Sequence, residues 1–233
     1  LVRLKHKTIF NMKLYKSFIT ITFSFLLISC FGFSNKKDKN SANKKEIVKT
    51  PISENSKIAY FASGCFWCVE AIFESVEGVE EAVSGYAGGH TKNPTYESSN
   101  TGKTGHAETV AVYYNPNKVS FKTLVTVYYA SHNPTTVNGQ SPDFGSQYRS
   151  IAFYQNNEEK EIIEAKMEQL NEDIYNGKIA TEVKKLEKFY KAEEYHQDFE
   201  KNNPRNGYIQ NVSVPRLNRF KKKFPQLLKS ESH

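Results

Sequence analysis

The stretch Lys57-Ile58-Ala59-Tyr60-Phe61-Ala62-Ser63-Gly64-Cys65-Phe66-Trp67-Cys68-Val69-Glu70 decides the fold. Its first six residues form a β-rich, partly alternating pattern through Ile58, Tyr60 and Phe61, which predicts a strand over 57–62. Ser63-Gly64 breaks that strand. Phe66, Val69, Ile72, Phe73 and Val76 then recur at helical spacing until Gly78 stops the run. Cys65 therefore falls where a strand passes into a helix. Free backbone N–H groups and the positive end of the helix dipole favour a thiolate there.

Working outward, a strand is predicted over 79–84, running into Gly85-Tyr86-Ala87-Gly88-Gly89. Residues 90–105 are rich in Asn, Pro, Thr and Gly and read as a long loop; such loops in compact domains are functional or disordered. A strand over 109–114 ends at Asn115-Pro116-Asn117, and Ser120 can cap a helix over 121–132. A second polar loop covers 133–145. A strand over 148–154, an amphipathic helix over 158–176 closed by Gly177, and a strand over 179–187 follow. The tail from Tyr190 shows no clear period. Strands interleaved with helices predict an α+β fold, one domain over 57–233 with its sheet covered mainly on one face.

The chain of 233 residues carries a net charge of +7, which invites a nucleic-acid or membrane-surface reading. Where the charge sits excludes a basic domain. Residues 1–29 hold five basic groups and no acid; residues 30–56 hold six lysines against three acids. Residues 57–233 hold 21 basic and 22 acidic groups, so the folded part is close to neutral.

Lys13 and Lys16 precede an uncharged, mostly apolar run over 18–28. That run matches a signal-peptide core and falls short of the roughly 20 residues a membrane-spanning helix needs. It ends in Leu27-Ile28-Ser29-Cys30, an order that resembles a bacterial lipobox. The expectation is a signal peptide over 1–29 starting at Met12, lipidation of Cys30, and a disordered Lys/Asn/Ser-rich linker over 30–56. The chain would then be an exported, membrane-anchored lipoprotein of the cell envelope. A plain secretory signal with an incidental Cys30 is the bland alternative.

Three cysteines exclude a disulfide-stapled scaffold and an all-cysteine zinc site. Cys65 and Cys68 share a helix face and lie within disulfide reach if the first turn flexes. Three readings compete: a thioredoxin-like redox pair, half of a zinc site, or two inert thiols at a buried helix start. No second cysteine pair supports zinc, and no metal site is read. Two large aromatics, Phe66 and the only Trp of the chain, Trp67, occupy the interval where a thioredoxin carries small residues. They suggest an apolar pocket around the nucleophile.

Further segments narrow the reading. Gly85-Tyr86-Ala87-Gly88-Gly89, Asn93-Pro94-Thr95-Tyr96, Gly105-His106-Ala107-Glu108, His132-Asn133-Pro134, Asp143-Phe144-Gly145-Ser146-Gln147-Tyr148-Arg149 and Tyr195-His196-Gln197 follow in order. With Gly64-Cys65-Phe66-Trp67 this series closely resembles the A-type peptide-methionine sulfoxide reductases, over residues 58–224. The resemblance implies a ferredoxin-like core with long active-site loops and an extended C-terminal tail. It implies Cys65 as the nucleophile that becomes a sulfenic acid, and Glu108 as the acid. Tyr96 and Tyr148 would bind the sulfoxide oxygen, Phe66 and Trp67 would wall the S-methyl group, and Asp143 would line the site. The S epimer of methionine sulfoxide would be the substrate, free or in proteins.

The chemistry fits those roles. A sulfoxide sulfur is electrophilic only when its oxygen is protonated or hydrogen-bonded, so the site needs a soft nucleophile, an acid and donors. Taken alone, Glu108 could be an exposed strand-end charge, and most tyrosines are amphipathic core or rim residues. His106, His132 and His196 read as structural, Arg149 as a loop organiser, and the run Lys221-Lys222-Lys223 as a solvated surface.

Many relatives carry resolving cysteines after a C-terminal Gly-Tyr. Here Ile209 follows Gly207-Tyr208, and no cysteine follows Cys68. Cys68 is then the expected resolving thiol, giving a Cys65–Cys68 disulfide; an external thiol is the alternative. Either route needs an external thioredoxin-like dithiol, with no bound cofactor. The runner-up function is a general CxxC thiol-disulfide oxidoreductase. A non-enzymatic surface-binding lipoprotein is a third reading. No nucleic-acid partner is expected, and the chain is read as a monomer.

Overall fold

The computed structural model describes residues 52–230. The expected signal peptide, the expected lipidation site Cys30 and nearly all of the expected linker lie outside the described residues.

Strand β1 (Lys57–Ser63) runs into helix α1 (Phe66–Glu74), then β2 (Val79–Ala87), the short helix α2 (Tyr96–Asn100), β3 (Ala107–Tyr114) and α3 (Phe121–Ala130). A small ribbon, β4 (Gly139–Gln140) and β5 (Asp143–Phe144), precedes β6 (Ser150–Tyr154) and α4 (Asn157–Leu170). Strands β7 (Glu182–Lys185) and β8 (Phe189–Lys191) follow, then α5 (Phe199–Asn202) and α6 (Val214–Lys223).

The main sheet has the order β7-β6-β1-β3-β2-β8. Its centre, β6-β1-β3-β2, is antiparallel throughout and is made by β1-α1-β2, β3-α3-β6. That is the ferredoxin-like two-layer sandwich expected of the sequence. Only β7 joins in parallel, on β6.

Period-two alternation sorts each strand between two faces. Ala59 and Phe61 of β1, Val110, Val112 and Tyr114 of β3, and Ala82 and Tyr86 of β2 pack under α1, α3 and α6 in the main core. The opposite face holds a small cluster of Ala62, Ala87, Ala107, Ile151 and Phe153. Leu186, between β7 and β8, and Phe189, the first residue of β8, pack against that cluster.

Several predicted boundaries shift, each for a local reason. The loop over 90–105 contains α2, because Thr95 Oγ1 accepts from the Ser98 N–H at 3.2 Å and Ser98 Oγ accepts from the Thr95 N–H at 2.8 Å. The helix predicted over 158–176 begins at an Asn156 cap, which accepts from the Glu159 N–H at 2.9 Å. It ends in a π-helical turn at Asn171–Tyr175. Ser146–Tyr148 is a helical turn and not the start of β6. The strand predicted over 179–187 shrinks to four residues, since Leu186 leaves it to cover the second face.

Candidate active site

The site forms at one end of the sheet, where β1 ends and β3 and β6 begin. Cys65 caps α1 and is buried, at 6% exposure. The register pairs Phe61 with Val110 and Ser63 with Ser150, which brings the start of β3 alongside Cys65. Glu108 shares parity with Val110 and Val112, so its carboxyl lies on the helix face and not at an exposed edge; it is 2% exposed.

A cavity of about 110 Å³ is lined by Cys65, Phe66, Trp67, Tyr96, Glu108, Asp143, Tyr148 and Tyr208. Wider clefts exist among the described residues, such as one of about 360 Å³ beside Glu70, Glu74 and Lys201, but no cysteine lines them. Seven of the residues expected at the site therefore meet in one cavity. Cys68 does not line it. Its Sγ lies one layer back, 3.8 Å from the Tyr208 hydroxyl.

The electrostatics differ from the sequence expectation at Cys65. The Phe66 N–H, the amide that the helix start offers, donates to Glu108 Oε2 at 2.9 Å and not to a thiolate. Burial, then the Cys68 hydrogen bond and the Glu108 charge, push the Cys65 thiol well up. Its hydrogen bond to Cys65, with the Arg216 charge nearby, draws Cys68 down to about 6. Burial raises Glu108 to about 8, against the opposing Phe66 hydrogen bond, so its carboxyl is protonated at neutral pH.

Burial likewise raises Tyr148, which keeps its phenolic proton for donation. Asp143 is raised by burial and accepts a hydrogen bond from the Tyr208 hydroxyl. The Tyr96 N–H donates to Glu193 Oε1 at 3.0 Å, which fixes the first residue of α2. Trp67 stacks on Phe199 with centroids 3.7 Å apart and planes 8° apart.

The residues read as structural behave so. His132 bonds Tyr128 O and Ser150 Oγ, and burial lowers it to about 3. His106 receives the Gly89 N–H and lies 2.9 Å from Thr91 O. Arg149 ties Gly105 O, Ser146 O and Glu182 together. Sequence reasoning missed Tyr208 as a cavity wall and His196 as the partner of Trp67. The Gly207-Tyr208 pair was a usable signal for the first.

A reactive dithiol beside a protonated carboxyl, phenolic donors and an aromatic wall defines a thiol-based reductase. Its substrate is small, polar at one end and apolar at the other. Residues 57–228 match the family model described as peptide methionine sulfoxide reductase. The chain is 45% identical to the peptide methionine sulfoxide reductase MsrA 1 of Rhodopirellula baltica, over 79% of this chain and 95% of that protein. It is 48% identical to MsrA of Ruthia magnifica, over 70% and 98%. Among solved structures, methionine sulfoxide reductase A of Corynebacterium diphtheriae has a TM-score of 0.60 at 34% identity, covering 66% of this chain and 78% of that one. Mxr1 of Saccharomyces cerevisiae in reduced form has a TM-score of 0.61 at 31% identity, covering 65% and 88%. The chain belongs to the peptide methionine sulfoxide reductase family.

Proposed function

We propose that Cys65 attacks the sulfur of a methionine S-sulfoxide while Glu108 delivers a proton to its oxygen. The enzyme is a peptide-methionine (S)-S-oxide reductase. The observation that carries the residue roles is the single cavity in which Cys65 and the protonated Glu108 face each other beside Tyr96, Tyr148 and an aromatic wall.

In the first step the oxygen passes to Cys65, which is oxidised to a sulfenic acid as the substrate sulfur is reduced to methionine. Glu108 gives its proton to the oxygen and recovers the one from the Cys65 thiol. Tyr96 and Tyr148 hold the oxygen by donation, and Phe66 and Trp67 enclose the methyl group. In the second step the Cys68 thiolate attacks the Cys65 sulfur; hydroxide departs and is protonated to water. An external thioredoxin-like dithiol then reduces the Cys65–Cys68 disulfide and is itself oxidised.

Cys68 is already within hydrogen-bonding influence of Cys65, and its low pKa suits it to this attack. The alternative of a general thiol-disulfide oxidoreductase is not favoured, because Cys65 is buried in the lining of a small aromatic cavity. Mass spectrometry after one turnover with methionine sulfoxide tests the scheme. One methionine released and a Cys65–Cys68 link are expected. Disulfide reduction on insulin with no sulfoxide reduction would overturn it.

The sequence signals at Lys13, Lys16 and Cys30 support an exported enzyme held at a membrane by lipid. Its reductant would then be a membrane-fed dithiol. The mature protein should partition with membranes, and Cys30→Ala should release it; a soluble wild-type product with unacylated Cys30 would sink the idea. The exposed large apolar side chains among the described residues are Ile52, Val137, Phe144, Ile174 and Tyr195, of which only Val137 and Phe144 share a segment, a small patch that is compatible with a monomer.

A further inference from the structure

Helix α6 lends a different face to each of two clefts that border the small cavity. Arg216, Arg219, Phe220 and Lys223 recur at helical spacing and line one of about 460 Å³. Leu217 and Lys221 line the other. The first cleft shares Asp143 and Tyr208 with the cavity, and the second shares Trp67. The run Lys221-Lys222-Lys223 is therefore split, with Lys223 on the wall of the first cleft and Lys221 on that of the second.

The two clefts differ in charge. The first has three cations, Arg216, Arg219 and Lys223, against one acid, Asp143, whose carboxyl already accepts the Tyr208 hydroxyl. His132 borders it too and adds no charge, because burial keeps the ring neutral. The second holds six carboxyl groups against three lysines. Arg216 is committed to the fold: its guanidinium donates to Ser131 O at 2.8 Å and to Ser63 O at 3.0 Å. Arg219 and Lys223 are exposed, and neither is joined to a carboxylate of the described residues. The helix dipole favours cations near the end of α6, but it does not choose the face that meets the active site.

A methionine side chain of a polypeptide can enter a cavity of about 110 Å³ only if its backbone stays outside, so the residues beside it must run along the neighbouring walls. We propose that Arg219 and Lys223 form an anion-binding subsite for the substrate polypeptide, which selects oxidised methionines flanked by Asp or Glu. The inference rests on the reading of the cavity as the sulfoxide site. An acidic flank would be drawn to the α6 face and repelled from the carboxyl-rich cleft beside Trp67.

The test uses the full chain and peptides with one methionine S-sulfoxide, flanked on both sides by Glu, by Gln or by Lys, so that chain direction does not matter. Dithiothreitol drives turnover, which keeps docking of a protein reductant out of the measurement. At low salt the wild-type KM for the Glu peptide should be about 3–10-fold below that for the Gln peptide, the scale of two exposed ion pairs, with kcat changed less. The Lys peptide should have the highest KM. Salt at about 0.5 M should remove most of the difference. In the double variant Arg219→Gln/Lys223→Gln the Glu-to-Gln ratio should approach one. A general loss of structure would weaken all three peptides alike, so the ratio reads the subsite, and circular dichroism confirms folding. Equal wild-type KM values would overturn the proposal, as would a preference that persists in the folded double variant. Slower thioredoxin-driven cycling with an unchanged peptide ratio would overturn it too and give the cleft to the reductant. A wild-type protein inert toward every sulfoxide would refute the function instead. Fluorescence anisotropy of labelled Glu and Gln peptides carrying unoxidised methionine would then still decide on the subsite: tighter Glu binding lost in the double variant supports it, and equal binding overturns it.

Discussion

The backbone N–H of Phe66 donates to Oε2 of Glu108 at 2.9 Å, joining the first residue of α1 to the second residue of β3. The free end of a helix would otherwise stabilise an anion at Cys65. The carboxyl takes that amide, yet burial still holds Glu108 near 8. The group is an acid placed by the same N–H that a thiolate would have used.

From this follows a pH prediction. Glu108 is protonated and able to donate below about 8, and it loses that proton as pH rises through this value. The single-turnover rate of methionine formation should therefore fall above about pH 8. Glu108→Gln should slow the step by about 100-fold or more, as loss of a general acid does, and flatten the alkaline limb. Rapid-quench measurement of methionine against pH checks both. Wild-type-like kinetics in Glu108→Gln would remove the acid role.

The two cysteines should separate by step. Cys65→Ser should abolish sulfoxide reduction. Cys68→Ser should release one equivalent of methionine and then stall with thioredoxin, its Cys65 trapped as sulfenic acid. Dimedone labelling and mass spectrometry read the trapped form. Full thioredoxin-driven cycling in Cys68→Ser would exclude Cys68 as the resolving thiol.

Tyr208 lies between Asp143, to which its hydroxyl donates, and Cys68 Sγ at 3.8 Å. Its hydroxyl also helps hold Cys68 down at about 6. Tyr208→Phe should raise the Cys68 pKa, seen as an upward shift in its alkylation profile. Disulfide formation after the first turnover should slow several-fold, while release of the first methionine changes less. An unchanged alkylation profile would leave Tyr208 as a wall of the cavity only.

Much of this site was legible because its chemistry is local. The strand-to-helix junction fixed Cys65, Phe66, Trp67 and Cys68 by adjacency alone. Glu108 was legible only through the family resemblance, because the predicted strand began at 109; the structure starts β3 at Ala107 and so puts Glu108 in the series Val110, Val112, Tyr114 that faces the helices. His196 was not legible, and Tyr208 only through its Gly207-Tyr208 pair, because both come from a segment without periodicity whose course is set by packing against α1. Helix α2 escaped for another reason. Five residues cannot nucleate a helix alone, and it is held by the Thr95–Ser98 cap and by Glu193 from far along the chain. Burial also reversed one inference. The junction that favours an anion in water is buried here and already holds a carboxyl.

The face assignment of β1 can be tested by stability. Phe61 is fully buried on the helix side, stacked on Phe73 with centroids 5.1 Å apart and on Tyr128 at 5.0 Å. Its neighbour Tyr60 points to the other face, half-buried, where it meets Phe189 with centroids 5.5 Å apart. Truncating a fully buried aromatic costs the transfer energy plus a cavity, so Phe61→Ala should lose about 3–5 kcal/mol. Tyr60→Ala removes less buried surface and should lose about 1–2 kcal/mol. Urea unfolding of the two variants should show midpoints well separated at similar slopes. Equal losses would mean that β1 buries both faces alike, and the cover given by Leu186 and Phe189 would then be as substantial as the helical layer.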